Sequence, residues 1–202
     1  MPDWEYRSGL GFGRRSALLI SDMQNAFTRG HYDPEFVQDA EIERINVLIA
    51  LFRERSLPIA ATAIVFDEYD AAHPNIWMQK IPKLSDLRDG SDLVRIDDSL
   101  LWDPAFDKLI VKKQPSSFHG TPLAEQWQAE GVDTIVTTGC VTSGCVRASV
   151  IDGMQHGFRM MVVKDAVADR WPDAHEQALF EIDSKYGDVI ALETCKTGIS
   201  GR

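Results

Sequence analysis

A chain of 202 residues with 44% apolar side chains is long enough to bury one large core and too short for two typical domains. Its 31 acidic against 21 basic residues give a net charge of -10, which opposes binding to phosphate backbones and sets nucleic acid aside as a partner. Three cysteines, Cys140, Cys145 and Cys195, are too few and odd for a disulfide framework, no run approaches a membrane span, and residues 1–15 lack the apolar core of a signal peptide; a soluble, cytoplasmic protein with no membrane partner is expected.

Residues 1–15 read as an N-terminal arm. Trp4 and Tyr6 suit either a contact in a homo-oligomer or a loose tail. Ala17 to Ile20 is an apolar run of strand length, closed by Ser21 and Asp22. Ile42, Ile45, Leu48, Ile49 and Phe52 then recur on one helical face. A second strand is expected over Ile59 to Val65. Residues 66–107 follow, broken by Pro74, Pro82, Gly90 and Pro104, which is more chain than a plain crossover needs. This stretch reads either as a lid or substrate wall carrying Tyr69 and Trp77, or as a surface excursion.

The third strand is Leu109 to Val111, followed by Lys112 and Lys113. Thr121 and Pro122 stand as N-cap and first residue of a helix bearing Leu123 and Trp127, with Gly131 to close it. Asp133 to Thr138 reads as a β-branched buried fourth strand, with its apolar run over Thr134 to Val136. Beyond it Val146, Val150 and Met154 return to helical spacing, with Cys145 at that helix's start. Met160 to Val163 and Val189 to Leu192 are the fifth and sixth strands. Between them Asp173 and Glu176 have capping-box spacing ahead of Ala178, Leu179 and Ile182. This alternation predicts an α/β fold over residues 16–202: a three-layer α/β/α domain with a six-stranded, mostly parallel sheet in Rossmann-like order.

In such sheets ligands sit beyond the carboxyl ends of the strands. Asp22 follows the first strand, Lys112 ends the third and Cys145 follows the fourth, so the three emerge on one rim. A thiol at a helix start faces unpaired N–H groups, which favour the thiolate. An Asp takes the thiol proton and returns it to a leaving amine, and a Lys holds the charges in place. Strand parity lets only one of Lys112 and Lys113 face the site unless the strand has already ended, and motif register favours Lys112. The small residues between Cys140 and Cys145 suit a turn that aims amides at an oxyanion. The five histidines, at 31, 73, 119, 156 and 175, give no zinc pattern, so no metal and no other cofactor is expected.

Asp22 in its first-strand motif, Lys112 six residues before Phe118-His-Gly-Thr-Pro, and Thr138-Gly-Cys-Val-Thr-Ser-Gly-Cys-Val-Arg147 resemble the isochorismatase-like cysteine hydrolases over nearly the whole chain after the arm. The resemblance implies an Asp22, Lys112, Cys145 triad that hydrolyses small amides. It also implies a cis peptide between Cys140 and Val141, and an oxyanion hole from the amides of Val141 and Cys145. Within that family, Thr142-Ser-Gly-Cys-Val-Arg147, Ile81-Pro-Lys-Leu84 with Gly90-Ser91, and Asp169-Arg170 with His175 resemble the N-carbamoylsarcosine and maleamate amidase branch. There Arg170 is implied to bind a substrate carboxylate, the local basic group that the acidic composition demands. Thr142, Phe27, Trp77 and Phe118 are further pocket candidates, and Cys140 reads as packing beneath the site.

The expected activity is therefore cleavage of a linear C–N amide or carbamoyl bond in a small carboxylate-bearing molecule, through a thioester and with loss of ammonia. A nicotinamidase-, biuret- or ureidoacrylate-type amidase of the same fold is the alternative. A binding or scaffold protein without catalysis is the alternative of another class. Asp67-Glu-Tyr-Asp70 stands where nicotinamidase-like members carry an Asp-x-His metal pair. Cys145 argues against vinyl-ether hydrolysis.

Overall fold

The computed structural model describes residues 8–201, so Trp4 and Tyr6 lie outside the described residues. Six strands form one parallel sheet: β1 (Ser16–Ser21), β2 (Ile59–Ile64), β3 (Lys108–Lys112), β4 (Thr134–Cys140), β5 (Arg159–Ala168) and β6 (Asp188–Ile190). Their order is β3-β2-β1-β4-β5-β6, with every pairing parallel. The helices are α1 (Asn25–Thr28), α2 (Asp39–Glu54), α3 (Glu68–Ala72), α4 (Ile76–Lys80), α5 (Leu123–Ala129), α6 (Arg147–Gln155), α7 (Pro172–Lys185) and α8 (Leu192–Ser200). Among the described residues no helix is long and apolar enough to cross a membrane.

Strand parity divides the core in two. Leu18 and Ile20 of β1 join Ala61, Ala63, Met161 and Val163 under α2 and α8, where the predicted stripe Ile42, Ile45, Leu48, Ile49 and Phe52 is buried. Ala17 and Leu19 face the other way, with Ala60, Ile135, Met160 and Val162, against Leu123, Trp127, Val150 and Ile182 of α5, α6 and α7. Because neighbouring residues of a strand point to opposite faces, a sheet covered on both sides needs unbroken apolar runs. That requirement made the strands readable.

Several boundaries differ from the sequence expectation. The fourth strand runs on past Thr138 through Gly139 and Cys140, both buried, because the ladder to β1 accepts polar and small residues as well as apolar ones. Pro122 stands just before the first turn of α5, while the Thr121 hydroxyl accepts weakly from the Leu123 amide at 3.4 Å. Asp173 does not cap α7: the helix opens at Pro172, with Asp173 already in its first turn, in keeping with the preference of proline for the first helical position.

Residues 66–107 hold a good deal of structure. Asp67 and Asp70 form a capping box at α3, Asn75 caps α4, and short 3-10 turns lie at Pro82–Asp86 and Asp92–Val94. Phe66, Met78, Leu84 and Leu87 pack with Ala26, Ile64 and Cys145 in a third, smaller core. The stretch is thus a wall fixed against the rim of the sheet. Tyr69 points out of it, exposed and stacked on His73.

The sheet reverses direction of growth between β1 and β4, and Gly139 permits their close approach. At its φ of 99° an added Cβ would lie 2.1 Å from the Ser21 carbonyl oxygen, in backbone that side chains rarely adopt. Gly139→Ala is expected to lower the unfolding free energy by at least about 2 kcal/mol in urea titrations. Wild-type stability in that variant would show that the two strands separate without cost.

Candidate active site

Asp22 leaves β1 with φ 51°, a left-handed conformation that Asp tolerates better than most residues. Its amide donates to the Thr62 hydroxyl at 3.1 Å, and that hydroxyl donates back to Asp22 Oδ1 at 2.7 Å. β2 therefore fixes both the backbone and one carboxylate oxygen. The other oxygen, Oδ2, lies 2.9 Å from Lys112 Nζ, which meets the ion-pair distance although no hydrogen-bond geometry is satisfied there.

Lys112 lies two strands away and reaches the site by its length. Ile110 and Lys112 are buried while Leu109 and Val111 are exposed, the parity expected of an edge strand. Its ammonium also donates to the carbonyls of Gln114 at 3.1 Å and Pro115 at 2.6 Å, and it stands 5.9 Å from the ring centre of Trp77. Lys113 turns outward and pairs with Asp67 and Asp70. The choice between the two lysines falls on Lys112.

Cys145 belongs to a wide turn, Thr142–Val146, that leads from β4 into α6 and is bent at Gly144 (φ -103°, ψ -106°). The peptide between Cys140 and Val141 is cis. Cys145 is 6% exposed, and its thiol interacts with both Asp22 and Lys112. Burial pushes its pKa well above the ordinary value and the Asp22 carboxylate adds to that, while Lys112 works in the opposite direction. For Lys112, burial acts against the charge, but Asp22 and then Cys145 outweigh it and the pKa is raised. A neutral thiol thus lies beside the Lys112–Asp22 pair. Cys140, whose thiol donates to the Asp22 carbonyl at 3.4 Å, is pushed up to about 12 by burial and packs beneath the site.

A cavity of about 530 Å³ opens over these groups, lined by Asp22, Cys140, Val141, Gly144 and Cys145, with Phe27, Trp77 and Arg170 around them. The expected Phe27, Trp77, Val141 and Arg170 are therefore all present. Two candidates are corrected. Phe118 is buried on the far side of the sheet among Trp127, Phe158 and His156, because the chain after Lys112 turns under α6, where the Ser117 amide donates to Ser149 Oγ. Thr142 is fully buried and its hydroxyl pairs with His175 Nδ1 at 2.9 Å, so it faces α7 and does not line the cavity.

Sequence reasoning missed Thr62, Tyr32, Lys83, Ser143 and Trp171. All but Thr62 line the cavity. Tyr32 donates to the Lys83 carbonyl at 3.2 Å, and burial holds its phenol above the ordinary value. A larger concavity, about 670 Å³, lies along β3 between Val65, Trp102, Leu109 and Val111; no Cys, Ser or Thr lines it. Among the described residues no three His, Cys, Asp or Glu side chains converge as a metal site would require.

Residues 16–194 match the isochorismatase domain. The chain belongs to the isochorismatase family. It is 40% identical over 188 residues to a maleamate amidohydrolase of Pseudomonas putida, covering 91% of this chain and 86% of that protein. It is 30% identical to an N-carbamoylsarcosine amidase of an Arthrobacter species over 94% of this chain and 73% of that one. A cysteine hydrolase from Pseudomonas syringae pv. phaseolicola superposes with a TM-score of 0.84 at 21% identity, over 93% of both chains, which establishes the shared fold of this family member.

Because the Asp22 charge opposes ionisation of Cys145, Asp22→Asn is expected to move thiolate formation to lower pH. The pH profile of Cys145 alkylation by iodoacetamide reads this directly. A midpoint that stays put or rises would mean that the two groups are not electrostatically coupled.

Proposed function

We propose that this isochorismatase-family member is a cysteine amidohydrolase. It acts on a linear amide or carbamoyl C–N bond of a small carboxylate-bearing molecule, with maleamate as the first candidate. The observation that carries the reading is the buried contact of Cys145 with the Asp22–Lys112 ion pair at the base of a cavity that also presents Arg170. The names of the maleamate and N-carbamoylsarcosine relatives support it.

The thiol rests protonated, so attack and proton transfer go together. As Cys145 Sγ bonds to the carbonyl carbon, its proton passes to Asp22 Oδ2, the oxygen that makes no protein hydrogen bond. The electron pair moves onto the carbonyl oxygen. The amides of Val141 and Cys145 hold that oxyanion, an interaction in which one lost donor typically costs about 10²- to 10³-fold in rate. Collapse breaks the C–N bond, Asp22 returns the proton to nitrogen, and ammonia leaves behind a thioester. Water attacks the thioester carbonyl, giving a proton to Asp22 and then releasing the acid and the restored thiol. Lys112 stays charged throughout, pinned by the Gln114 and Pro115 carbonyls, and holds the Asp22 carboxylate in place. From maleamate the products are maleate and ammonia; from N-carbamoylsarcosine they are sarcosine, carbon dioxide and ammonia.

Arg170 supplies the carboxylate anchor. No ion pair engages it among the described residues, and its guanidinium lies 5.7 Å from the Trp171 ring centre, so it is open to a ligand.

Ammonia release is to be measured with maleamate, N-carbamoylsarcosine, ureidoacrylate, nicotinamide and biuret. The expected outcome is turnover of a carboxylate-bearing amide, lowered at least about 10³-fold by Cys145→Ala. Release from none of them would sink the amidase reading, and a preference for nicotinamide or biuret would sink its carboxylate part. Arg170→Gln is expected to raise KM about tenfold or more, as for loss of a charge-assisted hydrogen bond, with kcat little changed. An unchanged KM would take the anchor away from Arg170.

A further inference from the structure

Asp169 makes contacts that the chemistry above does not use. Its Oδ2 accepts two short hydrogen bonds from Ser143, at 2.7 Å from the backbone amide and 2.6 Å from the hydroxyl. Oδ1 accepts from the Trp171 amide at 3.2 Å. Ser143 lies in the turn that carries Cys145, whereas Asp169 leads the segment from β5 into α7 that carries Arg170 and Trp171. The carboxylate therefore joins the two sides of the cavity. Its partner amide is one of those that the opening turn of a helix leaves without an internal acceptor. A carboxylate there makes charge-assisted bonds, roughly twice as strong as neutral ones.

The neighbouring residues give this link a direction. Asp169 holds backbone, while the two residues after it line the cavity. The same turn is tied a second time where Thr142 meets His175 of α7, so two links join the turn to the segment that carries Arg170. Catalysis by orientation is sensitive to this: a misplacement of about 1 Å can cost about 10²-fold in rate.

We propose that Asp169 is a positioning residue that fastens the turn bearing Cys145 to the wall bearing Arg170, and so sets the spacing between the carboxylate anchor and the thiol. The inference rests on the amidase reading for its kinetic consequence, though not for the link itself. It deepens the substrate class: the carboxylate and the scissile amide of a good substrate must be separated by one fixed distance.

Four variants test it with maleamate and its saturated and one-carbon-longer homologues, succinamate and glutaramate. Asp169→Ala is expected to lower kcat at least tenfold on the best substrate with KM within about threefold, and to shrink the kcat/KM ratio between best and worst homologue at least fivefold. Asp169→Asn, whose amide oxygen still accepts from Ser143, should recover kcat to within fivefold of wild type. Ser143→Ala should lower kcat less than Asp169→Ala, and the double variant should be no worse than Asp169→Ala, because both changes cut one link. Unchanged kcat in Asp169→Ala, an equal loss on all homologues, or additive losses in the double variant would each overturn the proposal. Hydrogen exchange at the Ser143 amide needs no substrate. It should accelerate at least tenfold in Asp169→Ala, and an unchanged rate would refute the link even if no amide in the panel is cleaved.

Discussion

The buried ion pair between Lys112 and Asp22 is the constraint from which the rest of the site follows. Both side chains are essentially without solvent contact, at 0% and 1% exposure, and removing two such charges from water costs several kcal/mol per ion. The structure offsets that cost with specific partners: two carbonyls on the ammonium, and the Thr62 hydroxyl on one carboxylate oxygen. These partners come from β2 and from the loop beyond β3. The site therefore depends on β1, β2 and β3 lying side by side. Parallel pairing in register supplies that condition, with Ile64 beside Lys112 and Ser21 beside Gly139.

The same pair governs the thiol. In the dry setting of Cys145 a lone cysteine would be inert, and burial is the largest reason that its pKa is high. In the mechanism proposed above, reactivity comes from the neighbouring carboxylate as proton acceptor, with the thiolate existing as the bond to carbon forms. Lys112 fixes the place of the Asp22 carboxylate, its ammonium lying 2.9 Å from Oδ2. The close approach of β4 to β1 at Gly139 brings the Cys145 turn within reach of that pair, and Phe66, Met78, Leu84 and Leu87 of the 66–107 wall pack in the same apolar cluster as Cys145.

Much of this was legible in the sequence for a physical reason. A sheet covered on both faces demands apolar runs, which marked every strand, and the rule that ligands gather at carboxyl strand ends brought Asp22, Lys112 and Cys145 together. Parity, read from burial along β3, separates Lys112 from Lys113. What stayed hidden depends on where the chain turns after a motif. Phe118 shares a motif with Lys112 yet sits across the sheet, and Thr142 adjoins the nucleophile turn yet faces His175. Thr62 gave no signal, because a threonine in a strand is ordinary until the carboxylate opposite it is known. Asp169 was visible only as part of a resemblance, and its bonds to Ser143 appear once the loops are folded.

The central claim is that Cys145 carries the acyl group during turnover, and acid quenching with peptide mass mapping tests it most directly. The account predicts that protein quenched within a single turnover of maleamate carries the added acyl mass on the peptide containing Cys145. Ammonia release at the full rate with that mass on a different residue, or on none, would contradict it.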